Sequence, residues 1–284
     1  MPEIAFLNGE FLPIDEAKVS VNDRGYQFGD GVYEVIRSYN GRLWALERHL
    51  ARLRRSLGEI NITGISIDEV REAIAAACKK SGLSKMMVYV QITRGVCPRK
   101  HNFPEGLEPT FLITVREFPE RPAEIFTEGV RAITFPDIRW LRRDIKSLNL
   151  LPNILARQRA VSSGVYEAIL VQQDGTVTEG AATNIFAVID GVLRTHPLSP
   201  RILAGITRGL VIETARELGI TVEERAFSRN EMFAADEVFL TGTGDEVLGI
   251  VEIDEETIAD GKIRPRTKGL RHAFLQRVDE GRDG

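Results

Sequence analysis

The sequence predicts an α/β fold in two domains: residues 1–118 form a smaller first domain, 119–124 a linker and 125–284 a larger second domain. In several short stretches apolar residues alternate with a period of two, as in half-buried strands. In others they recur every three to four positions, as in amphipathic helices. Between the two halves, residues 118–123 contain two prolines, which stiffen the chain and interrupt both patterns.

Local signals predict the elements of the first domain. Asn8-Gly9 favours a tight hairpin turn, and Ser66 with Glu69 forms a capping box at a helix start. The segment 95–109 is long for a hairpin loop, which is typical of loops with a function. The predicted elements are a hairpin at 4–14, a strand at 31–39, helices at 46–57 and 66–82, and strands at 86–93 and 110–115.

The second domain shows the same kinds of signal. Pro152 suits the first turn of a helix, and Asp174-Gly175 and Asp190-Gly191 suit the turns of a β-meander. The predicted elements are strands at 130–135, 167–172, 176–189 and 192–195, helices at 205–219 and 267–278, and strands at 237–241 and 247–253.

Length and composition are those of a soluble globular protein. The 284 residues are 43% hydrophobic and 27% charged, with a formal net charge of −4. This weak negative charge gives no reason to expect nucleic acid or a membrane surface as a partner. No stretch approaches the ~20 apolar residues of a membrane span, and no secretory signal is evident. Because Cys78 and Cys97 lack metal- or redox-motif spacing, we expect a cytoplasmic protein without a metal site.

Lys146 is the candidate for an imine-forming amine. Arg142 and Arg143 lie close to it in sequence, and Ile145 and Leu148 flank it with apolar surface. Nearby cations and desolvation lower the pKa of a lysine and free its amine to attack a carbonyl group. A surface lysine in a basic loop would have the same sequence, so both interpretations stay open on this evidence.

Glu179 is the candidate carboxylate, because it lies in the middle of an apolar strand. A buried acid is costly unless a cation pairs with it, and a protonated pyridine ring would be such a cation. Period-two alternation would instead let Glu179 face solvent. The pattern alone does not decide between these positions.

Three features suit a phosphate dianion. The predicted helix near Thr207 offers free backbone N–H groups and a positive dipole end. The turn Gly242-Thr243-Gly244 can add further N–H groups, and Arg52 a guanidinium fork. Each feature also has an ordinary interpretation as a cap, a turn or a solvated arginine. An amine, a carboxylate and a phosphate site together are what pyridoxal phosphate requires from a protein.

Several segments resemble the fold-type IV pyridoxal-phosphate-dependent aminotransferases, most closely the D-amino-acid (D-alanine) aminotransferases. The matching segments are 23–34, 93–101, 137–150, 166–170, 178–180 and 205–208, in the same order as in that family. The resemblance implies a two-domain α/β fold with the active site at the domain interface. It also implies a transaminase that moves an amino group between a D-amino acid, such as D-alanine or D-glutamate, and a 2-oxo acid.

The resemblance further implies how the cofactor pyridoxal 5′-phosphate is bound. Lys146 would form the Schiff base and shuttle a proton at the substrate Cα, and Glu179 would keep the ring nitrogen protonated. Leu203 would pack against the ring. The residues that would bind the phosphate are Arg52, Ile206, Thr207 and Thr243.

For the substrate, the resemblance implies that Tyr33, Arg99 and His101 bind the α-carboxylate. The last two would come from the other subunit of a homodimer. Lysine works on one fixed face of the cofactor, so the side of the pocket that receives the carboxylate decides which enantiomer reacts.

Two departures from the D-alanine enzymes keep other specificities open. Ala181 and Ala182 replace serines that are common in those enzymes, and the segment 241–246 with Gly242 resembles branched-chain aminotransferases. The alternatives are therefore an L-branched-chain or (R)-amine transaminase, an aminodeoxychorismate lyase, and a protein that keeps the fold without the chemistry. The preserved Lys146 and Glu179 disfavour the last of these.

Overall fold

A tight turn at Asn8 and Gly9 joins the first two strands, as predicted, and both residues adopt positive φ angles of 47° and 98°. The computed structural model describes residues 3–283. The described chain divides into two compact units. The first comprises 3–119, 145–149 and 283, and the second comprises 120–144 and 150–282.

The first unit is an antiparallel sheet with two long helices packed on it. Its strands are β1 (Ile4–Leu7), β2 (Glu10–Leu12), β3 (Gly31–Tyr39), β4 (Arg42–Leu43), β5 (Met86–Thr93) and β6 (Thr110–Glu117). Its helices are α1 (Arg24–Phe28), α2 (Leu46–Glu59) and α3 (Ile67–Ser81), with a 3-10 turn at Ile14–Glu16. The strand order is β2-β1-β6-β5-β3-β4.

The predicted helical faces form the core of this unit. Leu50 and Leu53 of α2 and Val70 and Ile74 of α3 are each at most 1% exposed, and they belong to one apolar cluster with the inward side chains of the sheet. The capping box at Ser66 and Glu69 is present at the start of α3. Helix α1 was not predicted, because five residues are too few to show a helical period.

The segment 145–149 adds to the edge of β3, although it follows the linker in sequence. Ser147 forms an antiparallel bridge with Val32. The N–H of Leu148 donates to the carbonyl oxygen of Gly31 at 3.0 Å. The predicted domain boundaries placed this segment in the second domain, and its backbone pairing with β3 instead groups it with the first unit.

The second unit is built around a nine-stranded sheet. Its strands are β7 (Val130–Pro136), β8 (Glu167–Val171), β9 (Val177–Gly180), β10 (Asn184–Ile189), β11 (Val192–Thr195), β12 (Val222–Glu223), β13 (Glu237–Gly242), β14 (Glu246–Ile253) and β15 (Glu256–Thr257). Its helices are α4 (Ile125–Glu128), α5 (Leu151–Ser162), α6 (Ile206–Glu217), α7 (Arg229–Phe233) and α8 (Pro265–Asp279).

Six strands of this sheet form a closed ring, in which each strand pairs with two neighbours. The order β10-β13-β14-β7-β8-β9 ends with a pairing of β9 to β10, and β11, β12 and β15 extend the sheet. Apolar side chains of these strands, among them Ile169, Leu240 and Leu248, are at most 1% exposed and form the core. No helix within residues 3–283 is long and apolar enough to cross a membrane.

The predicted continuous strand at 176–189 is wrong. The chain leaves the sheet at Ala181 and returns at Asn184, because the N–H of Gly180 bonds to the carbonyl oxygen of Thr183 at 2.8 Å and closes a turn. As a result Asn184 of β10 lies directly opposite Glu179 of β9. A continuous strand would have carried these two residues apart.

Candidate active site

Lys146 lies beside the edge of β3, with its main chain fixed on two sides. The N–H of Tyr33 donates to the carbonyl oxygen of Lys146 at 3.0 Å, and the N–H of Lys146 donates to Ser56 Oγ at 3.2 Å. The amine nitrogen lies 4.3 Å from the centre of the Tyr33 ring. The side chain is half-buried. The candidate amine therefore has a fixed backbone and an aromatic neighbour, unlike a lysine on a mobile surface loop.

Arg52 is held by a buried carboxylate that the sequence analysis did not identify. Its Nε and Nη2 donate to Glu34 Oε1 and Oε2 at 2.7 and 2.8 Å. His49 Nδ1 lies 2.7 Å from Glu34 Oε2, and both residues are 1% exposed. Burial acts to raise the pKa of Glu34, but Arg52 and His49 outweigh it and hold this pKa far below its usual range. For His49, burial dominates and lowers its pKa.

The period-two pattern of β3 contains a signal for Glu34. Val32 and Ile36 are fully buried, and Glu34 is two residues from each of them, so its side chain also points into the core. His49 and Arg52 are three apart on α2 and therefore share a helical face. A buried acid on a strand requires a cation nearby, so the pairing could have been predicted from these two patterns.

Glu179 is buried, which excludes the solvent-facing alternative. It is 4% exposed. Its Oε1 accepts from the N–H of Leu203 at 2.6 Å and from Asn184 Nδ2 at 3.0 Å. Its Oε2 accepts from Arg139 Nη1. Burial raises the pKa of Glu179, and the Arg139 guanidinium acts in the opposite direction. An ionised carboxylate can accept about four hydrogen bonds, so capacity for one more donor remains.

Arg139 is a second residue that the sequence analysis did not assign. Its Nε and Nη2 donate to Asp137 Oδ1 and Oδ2, both at 2.9 Å. Thr178 Oγ1 also donates to Asp137, at 2.7 Å. Burial acts to lower the pKa of Arg139, but Glu179 and Asp137 outweigh it and raise this pKa. Arg139 thus stays cationic between two carboxylates, and it holds the oxygen of Glu179 that the N–H of Leu203 does not contact.

The start of α6 has the predicted features of an anion site. Gly205 precedes the helix and has no side chain that could cap the first-turn N–H groups of Ile206 and Thr207. Thr207 is 5% exposed. A side chain at Gly205 would collide with Asn184, because an added Cβ would lie 1.9 Å from Asn184 Oδ1. The local structure therefore leaves the N–H groups of this helix end for a ligand.

Thr243 lies in the turn between β13 and β14. The turn is closed by a bond from the N–H of Asp245 to the carbonyl oxygen of Gly242, at 3.2 Å. Asp245 Oδ1 accepts from the Tyr166 hydroxyl at 2.5 Å and from Arg121 Nη2 at 3.2 Å. These bonds anchor the turn at its end. Leu203, predicted to pack on a ring, is half-buried and contributes its backbone N–H to Glu179.

The three predicted carboxylate-binding residues do not form one contact group within residues 3–283. Tyr33 belongs to β3 and lies beside Lys146, and its ring stacks on Tyr89 with centroids 5.7 Å apart. Arg99 and His101 are exposed on the 95–109 loop. Both contact the ring of Phe28, with Arg99 Cζ 4.4 Å and the His101 ring centre 5.7 Å from its centre.

Each unit contains groups of a kind that a ligand with a cationic ring nitrogen and a phosphate would require. In the second unit, Glu179 is a buried carboxylate with acceptor capacity left, and the start of α6 provides free donors. In the first unit, Lys146 provides an amine. Among residues 3–283, no group of three or more His, Cys, Asp or Glu side chains is arranged to hold a metal ion.

Sequence comparisons cover nearly the whole chain. A family model described as amino-transferase class IV matches residues 31–253. The chain is 44% identical to the D-alanine aminotransferase of Bacillus licheniformis over 273 residues, which is 95% of each chain. It is 42% identical to that of Staphylococcus aureus (strain MSSA476) over 279 residues, 98% of each chain.

Structural comparisons find solved enzymes with the same fold. The branched-chain amino acid aminotransferase of Escherichia coli has a TM-score of 0.90 and 30% identity, covering 96% of this chain and 93% of that one. The T.th. branched-chain amino acid aminotransferase, solved with pyridoxamine 5′-phosphate, has a TM-score of 0.89 and 30% identity, covering 97% and 93%. The sequence relatives are thus named for D-alanine and these structural neighbours for branched-chain substrates.

Proposed function

The chain belongs to the amino-transferase class IV family, with the fold-type IV architecture, and from this premise we propose that it transfers an amino group between a D-amino acid and a 2-oxo acid. D-alanine and D-glutamate are the expected donors. The observation that carries this specificity is the 44% identity to a D-alanine aminotransferase over 95% of both chains. The enzyme is an aminotransferase, and its cofactor is pyridoxal 5′-phosphate, as in this fold.

Lys146 is proposed to carry the cofactor and to move the proton at the substrate Cα. When bound, the cofactor serves as the electron sink that makes this proton acidic. The Tyr33 ring and the fixed backbone restrict where the Lys146 amine can lie. A proton acceptor that must act at one carbon atom benefits from this restriction, because its reach is limited to one face of the substrate.

Glu179 is proposed to hold the proton on the cofactor's ring nitrogen. Its donors from Leu203, Asn184 and Arg139 fix both oxygens and leave room for one further hydrogen bond. Arg139 also opposes the effect of burial on the pKa of Glu179 and so favours the charged carboxylate. A charged Glu179 is the form that stabilises a protonated ring.

Phosphate binding is proposed for backbone N–H groups and side chains that can donate hydrogen bonds to a dianion. The α6 start offers the backbone N–H groups of Ile206 and Thr207, which the glycine before them leaves uncapped. The proposed phosphate ligands are Arg52, Ile206, Thr207 and Thr243. Arg52 enters this set with its orientation already fixed by Glu34. Leu203 is proposed to pack against the ring.

The substrate α-carboxylate is proposed to bind Tyr33, Arg99 and His101, with the last two supplied by the partner in a homodimer. The exposure of the Arg99 and His101 side chains supports this arrangement, because such side chains are available to a second subunit. We place the enzyme in the cytoplasm, since Cys78 and Cys97 are both free, as is usual in a reducing compartment.

Activity on L-branched-chain amino acids is the second candidate. It is favoured by the structural neighbours, which are branched-chain enzymes at 30% identity. It is also favoured by Ala181 and Ala182, which follow Glu179 and Gly180. Hydroxyl groups at these two positions would suit polar substrates, and the alanines do not provide them. The D-specific reaction is preferred because the D-alanine relatives are more similar in sequence.

Half-reactions on the purified holoenzyme distinguish the two candidates. The absorbance of the bound cofactor is followed after separate addition of D-alanine, D-glutamate, L-leucine and L-glutamate. Rapid change with the two D-amino acids alone is the expected result. Change with L-leucine and not with the D-amino acids would contradict the D-specific proposal and assign the enzyme to branched-chain substrates.

A further inference from the structure

The loop that carries Arg99 and His101 is bonded to the short helix α1. Arg24 Nη1 donates to the carbonyl oxygen of Lys100 at 2.6 Å, and Nη2 donates to that of His101 at 3.5 Å. The Arg24 N–H also donates to the carbonyl oxygen of Gly95 at 3.0 Å. Arg24 is 3% exposed. The backbone of the loop is therefore fixed at the residues proposed to bind substrate.

Asp30 in turn fixes Arg24. It accepts from Arg24 Nε at 2.7 Å and from Arg94 Nε and Nη2 at 2.8 and 3.0 Å. Burial acts to raise the pKa of Asp30, but the two arginines outweigh it and lower this pKa. Arg94 also donates to the carbonyl oxygens of Ile60 and Asn61 at 2.6 and 2.9 Å. The loop backbone is thus connected to α1 and to the end of α2 by paired charges.

Phe28, the last residue of α1, contacts the side chains of this loop. Arg99 Cζ lies 4.4 Å from the centre of the Phe28 ring, and Arg24 Cζ lies 4.9 Å from it. The His101 ring is tilted by 48° with its centre 5.7 Å away. Cation–π contacts act within about 6 Å of a ring centre, and aromatic pairs within about 7 Å. One phenyl ring therefore supports both residues proposed to bind the carboxylate.

We propose that Phe28 is a specificity-determining positioning residue whose ring holds Arg99 and His101 side by side, so that both donate to one substrate carboxylate. This inference rests on the proposed function, because that function assigns the carboxylate to these two residues. Phe28 itself does not need to touch the substrate. It acts by restricting two side chains that are otherwise exposed on a turn-rich loop.

The physical reason is side-chain entropy. Arginine has many rotamers, and ordering it when substrate binds weakens binding. A ring contact that exists before substrate arrives removes part of this cost, so affinity rises through preorganisation. Because the two donors are held on one side of the pocket, the gain applies to the enantiomer that places its carboxylate there. The other enantiomer gains little.

The kinetic test uses three holoenzyme variants. Phe28→Leu removes the ring, Phe28→Tyr keeps it, and Tyr26→Leu removes a ring of the same helix that is 75% exposed. We expect Phe28→Leu to raise the KM for D-alanine about tenfold through the lost cation–π contact. We expect kcat to change less than about threefold, because Lys146 is untouched. Phe28→Tyr and Tyr26→Leu are expected to behave like the unmodified enzyme.

The preference for D- over L-substrates gives the sharper criterion. It should fall in Phe28→Leu, because the D-enantiomer loses preorganised donors. A merely structural defect would reduce the turnover of D- and L-substrates equally and would appear in kcat. Equal loss with both enantiomers, or a Phe28→Tyr enzyme as impaired as Phe28→Leu, would overturn the inference.

An NMR measurement tests the contact without using activity. The chain has only four histidines, so the His101 ring signal of histidine-labelled holoenzyme can be assigned with His101→Gln. The signal should shift in Phe28→Leu, which removes the neighbouring ring current, and stay in place in Tyr26→Leu. An unchanged His101 signal in Phe28→Leu would overturn the inference.

The two levels of failure are distinguishable. If the unmodified enzyme does not use D-amino acids, the proposed function fails, and the proposal that Phe28 positions the carboxylate-binding residues fails with it. If the unmodified enzyme is D-specific but its D/L ratio or its His101 signal does not respond to Phe28→Leu, only the role of Phe28 fails.

Discussion

Gly205 and Asn184 approach each other so closely that a Cβ on Gly205 would lie 1.9 Å from Asn184 Oδ1. Asn184 Nδ2 donates to Glu179 Oε1 at 3.0 Å and to the carbonyl oxygen of Leu203 at 3.1 Å. Gly205 has an ordinary φ of −64°, so space and not backbone conformation requires glycine there. The start of α6 and the buried carboxylate are thereby coupled through one amide group.

Gly205→Ala should therefore weaken cofactor binding. The displaced Asn184 would no longer donate to Glu179, and we expect a cofactor Kd at least about tenfold higher and a stability loss of about 1–3 kcal/mol. Absorbance titration of the apoenzyme and urea unfolding measure both. Gly209→Ala is the matched control on α6, since no atom lies within 4 Å of its added Cβ. Equal cofactor affinity in the two variants would contradict the coupling.

Arg139→Met should destabilise the protein and alter its pH dependence. The substitution leaves Glu179 and Asp137 buried without their shared cation, which costs about 3–5 kcal/mol. Burial already raises the folded-state pKa of Glu179, and without Arg139 this pKa should rise further. A carboxyl with a raised pKa stabilises the fold below its unfolded pKa of about 4.3, and this contribution is lost as the pH rises through the folded value.

Urea midpoints measured between about pH 4 and pH 8 test this sign, because they span the window above the unfolded pKa. The Arg139→Met protein should lose stability with rising pH over a wider range than the unmodified protein. Arg139→Lys keeps the charge but not the planar fork, so an intermediate result is expected. A pH profile identical to that of the unmodified protein would show that Arg139 does not set the charge state of Glu179.

Glu34→Gln should show the opposite pH behaviour. The folded-state pKa of Glu34 is strongly lowered. Its contribution to folding stability is therefore fully present above the unfolded pKa of about 4.3 and is lost as the pH falls through the folded-state pKa. A neutral amide at this position cannot form the ion pair with Arg52, and we expect a loss of about 3–5 kcal/mol at neutral pH.

The slope of stability against pH on the acid side should correspondingly be smaller in Glu34→Gln than in the unmodified protein, as measured by urea midpoints. We call this quantity the acid slope. Glu72→Gln is the control, because Glu72 lies exposed on the surface of α3. It should leave the acid slope nearly unchanged. If both variants had the same slope, Glu34 would not be the group responsible.

Lys146→Ala should abolish turnover, because the substitution removes the amine proposed to move the proton at the substrate Cα. The cofactor should still bind, since the proposed phosphate and ring contacts remain, but gel filtration in denaturant after borohydride reduction should remove it completely, because no covalent bond to the chain can form. Lys268→Ala, at an exposed position of α8, is the control and should retain the cofactor and full activity. Turnover in Lys146→Ala equal to that of the control would contradict the assignment of the amine.

Much of the fold follows from local patterns. The hairpin at Asn8-Gly9 and the capping box at Ser66 depend on residues close in sequence, and both are present. Helix α8 begins two residues before its predicted start. The break between β9 and β10 was not predicted, because it depends on one turn hydrogen bond and leaves the apolar pattern intact.

The candidate site was predictable where a residue acts through its own type and position. Glu179 stands out in sequence as an acid within an apolar strand, and of its two possible orientations the structure shows the buried one. Arg139 and Glu34 were not found, because each acts through partners distant in sequence. Arg139 joins Asp137 to Glu179 across 40 residues, and Glu34 joins two residues of a later helix. Such pairs follow from the sequence only after the inward faces of the strands and helices have been assigned.

The pairing of segment 145–149 with β3 limits how this chain can be divided. A fragment that ends at the proline-rich linker would keep β3 but lack the segment that bonds to Gly31 and Tyr33. The N–H and carbonyl groups at that end of β3 would then form an open edge, which is prone to pair with other chains. We therefore expect a version of the chain split into two polypeptides to stay soluble only if its break point keeps residues 31–39 and 145–149 on the same polypeptide.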